Sequence, residues 1–98
     1  MKQLTVGSEK YPCRITTGAM IRFKNQFGRD ISAIDSEDIE QSTFFVYACV
    51  KSSCKRDGVD FDMSFEDFAD NLLPEDLAEF FTETASEVQK KTQRKAKN

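Results

Sequence analysis

Histidine is absent from this sequence, and cysteine occurs only three times. The first absence removes the usual general base and the commonest metal-binding side chain. Cys49 and Cys54 lie five residues apart and Cys13 stands alone, which is not the spacing of a zinc site. The four glycines are scattered and build no phosphate-cradling loop. Long apolar runs are missing too, since none approaches the roughly 20 residues that a membrane helix needs. The opening MKQLTVGSEK has no apolar core segment, so no signal peptide is expected. Cysteines without an export signal fit a reducing cytosol, with free thiols and with Cys49 and Cys54 as small buried apolar groups. Cofactors and metals are not expected.

What the chain does have is phenylalanine and segregated charge. Ninety-eight residues make one domain, and with hydrophobic residues at 39% and nine phenylalanines, much of its core must be aromatic. The net charge of −3 conceals three blocks. Residues 1–56 carry nine Lys/Arg against six Asp/Glu; residues 57–87 carry eleven acids and no base; residues 88–98 carry five bases and no acid. Within the last block, residues 90–98 read as a basic, disordered tail beyond a domain at 1–89.

The centre of the chain, Ile39 to Cys54, reads IEQSTFFVYACVKSSC. Ile39, Thr43, Val46, Val50 and Cys54 recur at helical spacing, and the residues between them widen the stripe almost all the way round. Asp35 to Asp38 supply a cap and acids at its start, Lys51, Lys55 and Arg56 supply cations at its end, and Gly58 follows as a stop. A central helix over roughly 37–56 follows. Before it, Leu4 and Val6, then Tyr11, Cys13 and Ile15, alternate on either side of Gly7-Ser8 and predict a β-hairpin, with Pro12 at an open edge. Thr16 or Thr17 caps a helix with Met20, Phe23 and Phe27 on its buried face and Gly28 at its end. Downstream, Ser64 caps a third helix burying Phe65, Phe68, Ala69 and Leu72. Pro74 opens a fourth with Leu77, Phe80, Phe81, Ala85 and Val88 as its stripe. The expected fold class is mainly α: a short N-terminal hairpin and about four helices around the central one, a small α+β domain.

Candidate chemistry is sparse. The run from Asp57 to Phe68 resembles part of a calcium loop, but placing Gly58 at the sixth position puts Lys55 at the third and Ser64 at the twelfth. Placing Glu66 at the twelfth puts Lys55 first and Asp60 where glycine belongs. The carboxylates lie in a solvated run, and cysteines on an apolar helix lack an activating base. No enzyme is expected. The stretch with Arg14, Arg22, Lys24 and Arg29 is mildly basic, yet a strongly acidic body repels phosphate, so nucleic-acid recognition is disfavoured. Protein interaction remains, and Phe61, Phe65, Phe68, Phe80 and Phe81, crowded among acids, are the candidate partner-binding residues.

The order of elements resembles a known family. LTVGSEKYPCRIT, then GAMIRFKNQFGRDIS, then DIEQSTFFVYACVKSSCKRDG, then MSFEDFADNLLPEDLAEFFTETASEV is similar to the layout of tail assembly chaperones of long-tailed bacteriophages and prophages, over about residues 2–88. The resemblance implies a cytoplasmic, mostly helical protein that coats the long tape measure protein while tail tube subunits assemble around it. It also implies possible self-association and a longer frameshifted product. The competing expectation is a small DNA-associated regulator of phage or mobile-element origin, or an unassigned helical interaction module.

Overall fold

The computed structural model describes residues 3–35 and 37–83. Two strands, β1 (Gln3–Val6) and β2 (Glu9–Pro12), are followed by helices α1 (Thr17–Phe27), α2 (Ile39–Asp57) and α3 (Phe65–Asn71). A fourth helix, α4, runs from 74 to 83 within the described residues. A single 3-10 turn, Ile31–Ala33, interrupts the connection between α1 and α2. The chain is therefore mostly helical with a short antiparallel hairpin at its N-terminal end.

The hairpin pairs Val6 with Glu9 and Gln3 with Pro12. Its two loop residues are Gly7, with a φ of 64°, and Ser8 with negative φ, the φ pattern of a type II′ turn whose twist suits paired strands. Two strands alone are marginal in water, and this pair is held by what it rests on. Leu4 and Val6 point into the core, and the Gly7 N–H donates to the Asn71 carbonyl at the end of α3, 2.8 Å away. The predicted alternation fails at its far end. Cys13 is buried, but the strand stops at Pro12 and Ile15 is exposed, because the chain there turns away from β1 to cap the first helix.

Thr16 caps α1, its side chain accepting from the Ala19 N–H at 3.0 Å, and Gly28 ends it in a left-handed conformation. The buried face is Ala19 and Phe23, with Phe27 half-buried. Met20, expected inside, is 39% exposed. Met20 lies beside Phe27 on the helical wheel, so its exposure reflects what packs across that turn and not its place in the apolar period.

The central helix starts at Ile39 and ends at Asp57. Asp38 caps it by accepting from the N–H groups of Glu40 and Gln41. Gln41 closes the corner: its Nε2 donates to the other Asp38 oxygen, and its Oε1 accepts from the Asp35 N–H, each at 3.1 Å. From Gln41 to Val50 only Phe44 is not buried, which is the all-round apolar character expected of a core helix. Ile39 departs from its stripe and is 67% exposed. Further along, buried Ser53 accepts from the Arg14 N–H at 2.9 Å and donates back to the Arg14 carbonyl at 3.3 Å. The adjacent Ser52 hydroxyl meets that of Thr16 at 2.6 Å. These bonds tie the link between hairpin and α1 to the spine. Among the described residues no buried side-chain nitrogen or oxygen lacks a partner.

At the other end, both Gly58 and Val59 N–H groups donate to the Cys54 carbonyl, and the loop that follows is pinned where the Tyr47 hydroxyl donates to the Met63 carbonyl at 2.9 Å. Ser64 caps α3 through the Asp67 N–H. Phe68 and Leu72 are buried, with Phe65 and Ala69 half-buried beside them. On α4, Leu77 and Phe80 are buried and Phe81 half-buried. Ala85, Val88, the domain limit at 89 and the basic tail lie outside the described residues. No helix among the described residues is long and apolar enough to cross a membrane.

Candidate protein-binding surface

The aromatic side chains form a single connected set that runs through the core and out to its edge. Tyr11 meets Phe61, which meets Tyr47 and Phe68. Tyr47 also contacts Phe65 and Phe44; Phe44 passes the chain to Phe27, Phe27 to Phe23, Phe23 to Phe45, Phe45 to Phe80 and Phe80 to Phe81. Ring centroids are 5.0–6.2 Å apart, and the packing is mostly edge-to-face, the arrangement the ring quadrupole favours. All nine phenylalanines and both tyrosines belong to it.

This network relocates the candidate partner-binding residues. Phe68 and Phe80 are fully buried, so no partner reaches them without opening the core. Phe61, Phe65 and Phe81 are half-buried, with at least one ring face taken by a neighbour in the set. Phe68 and Phe80 thus fill the interior, while Phe61, Phe65 and Phe81 keep part of their surface open.

Exposed apolar surface lies elsewhere. The first turn of α2, the Phe65–Ala69–Leu72 side of α3 and the start of α4 frame an open groove of about 390 Å³. Thr43, Phe65, Ala69, Leu72 and Leu77 line it, with Ile39, Leu73 and Pro74 at its margin. Ile39 and Leu73 are 67% and 55% exposed, large side chains left in water by the folded chain. Of the five phenylalanine candidates only Phe65 contributes. Ile39 and Leu73 were missed because both sit at helix starts, where a periodic pattern does not say whether another element crosses the turn. Leu73 did carry a signal: an apolar residue just before a helix-opening proline, on no predicted buried face.

The electrostatics of the groove are one-sided. Glu40 lines it, and Glu66, Asp70 and Glu75 adjoin its lining residues in sequence and are exposed. No base occurs between 57 and 87. Further exposed apolar side chains lie in the other half of the sequence, at Ile15, Met20 and Ile21, and at Val59 after α2. Residues 14–29 contain four bases and no acid.

The thiols lie in the interior. The three cysteines are free and buried. Burial pushes the Cys13 thiol up to about 12 and raises Cys49 and Cys54 as well, so none is a thiolate near neutral pH. Among the described residues no group of three or more Cys, Asp or Glu is placed to hold a metal ion. The surface can offer apolar contact and negative charge. No protein-family model matches this chain, and no curated protein or solved structure matches it either.

Proposed function

We propose that this protein is a tail assembly chaperone of a long-tailed phage or prophage, working in the cytoplasm of the host. It binds the tape measure protein and keeps it soluble while tail tube subunits gather around it. The observation that carries this reading is the apolar groove with Ile39 and Leu73 standing in water and with Glu40, Glu66, Asp70 and Glu75 on or beside its lining residues. An apolar groove suits an apolar segment of a long helical client, and the surrounding acids keep the complex hydrated. The layout across residues 2–88 supports the same reading through its resemblance to that family.

Co-expression tests it. A long, predominantly helical reading frame next to this gene should yield soluble product with the protein and aggregate without it. Ile39→Ser combined with Leu73→Ser should leave the fold intact, since both side chains are exposed, and should weaken capture about tenfold through the lost apolar contact. A client equally insoluble with and without the protein would sink the reading. Steeply salt-dependent binding to generic duplex DNA would move it to the DNA-associated class.

A further inference from the structure

Ile39 and Leu73 leave apolar surface in water at the margin of the groove, and carboxylates stand beside it. Glu40 lines the groove, Glu66, Asp70 and Glu75 adjoin its lining residues, and none of the four forms an ion pair among the described residues. No base between 57 and 87 answers them. The bases come immediately afterwards: Lys90, Lys91, Arg94, Lys95 and Lys97 fall within residues 88–98, where no acid occurs. Both sides of a charge match are thus written in one chain. Reach permits them to meet. The described part of α4 runs from 74, at the groove margin, to 83, and a helix of that length advances about 15 Å. Residues 84–98 follow it in the sequence, and an extended segment of that length spans about 50 Å, roughly three times the distance back. Lysine suits a groove of mixed character, since its methylene stem lies along apolar surface while its ammonium reaches the charge beyond.

We propose that residues 88–98 fold back onto the groove of their own chain, laying lysine stems over Ile39 and Leu73 and charged heads on Glu40, Glu66, Asp70 and Glu75. Exposed ion pairs are individually weak, so the contact owes its population to tethering, which holds the segment at a local concentration of about a millimolar. Val59, the other large apolar side chain exposed among these acids, lies outside the groove and offers one side chain. The contact covers the groove at low salt and yields to an apolar helix that displaces the segment. It goes beyond the chaperone reading and does not depend on it; under that reading, the client competes with the chain's own basic segment.

Paramagnetic broadening in the 98-residue chain tests the contact with no client present. Asn98→Cys carries a maleimide nitroxide, while the three native thiols are buried and stay unlabelled. At about 50 mM salt, backbone amide signals around Ile39 and Leu73 should lose most of their intensity relative to the reduced label, and the loss should shrink several-fold at about 500 mM as the screening length falls. K90Q, K91Q, R94Q, K95Q and K97Q together should abolish it. Glu66→Gln with Asp70→Asn, both at exposed positions, should weaken it from the other side. The proposal is overturned by an absence of selective broadening, by broadening centred on Asp57 to Asp62, or by broadening that survives removal of the five bases. Broadening seen only between a nitroxide-labelled chain and a separate isotopically labelled one overturns it too, since the contact would then join two molecules. Failure here leaves the chaperone reading to its co-expression test, and failure there leaves this contact standing.

Discussion

At the scale of residues, the cysteines show how burial alone sets chemistry. Cys13 and Cys49 are fully enclosed, and removal from water disfavours their charged forms. Their folded pKa values lie above the unfolded value of 9.0, so the folded state keeps protons that the unfolded chain releases. The sign follows: their contribution is fully present below pH 9.0 and is lost as pH rises through the folded values. Stability measured by urea unfolding under reducing conditions should therefore fall between pH 9 and about 11, each thiol adding a slope of up to about 1.4 kcal/mol per pH unit. Cys49→Ala should flatten that fall while costing stability at pH 7; an unchanged alkaline slope would contradict the burial argument.

At the scale of elements, termini were written more clearly than faces. Thr16, Asp38 and Ser64 are found as caps, each where a short polar side chain precedes an apolar period. Gly58 closes α2 at a φ of 73°, and a Cβ built there would meet nothing within 4 Å. Its requirement is thus purely one of backbone conformation. Gly58→Val should destabilise by about 1–2 kcal/mol and lower Tm by roughly 5–10 °C, while Gly58→Asn should cost less than half as much. Equal losses for the two would point to a contact that the folded state lacks. Which side of each helix goes inward was less legible. Met20 and Ile39 fit their apolar periods and still face water, because burial depends on what packs across that turn.

At the scale of the whole molecule, the hairpin, α1 and the loop after α2 all attach to one helix, through Ser52, Ser53, Tyr47 and the connected rings. Loss of that helix removes the common partner of every other element. Val46 has no exposed surface at its centre, and an aspartate there would be an unpaired buried charge. Val46→Asp should cost about 3–5 kcal/mol or more, against roughly 5–15 for the stability of a whole domain. Far-ultraviolet dichroism and proteolysis should find the variant unfolded in a single cooperative step. A folded, protease-resistant Val46→Asp protein would mean that the spine lies elsewhere.

Local chemistry let the sequence by itself determine the succession of elements, the caps that bound them and the buried character of α2. Each of these depends on neighbours within a few positions, which the chain order contains. The candidate site was decided by tertiary structure. Phe61, Phe65, Phe68, Phe80 and Phe81 have the composition of a binding surface, yet packing buried Phe68 and Phe80 and joined all eleven aromatics in one network that leaves the others half-exposed. The groove arises where residues far apart in the chain, Ile39 on one side and Leu73 on the other, are left at the margin of a core that other side chains had already filled.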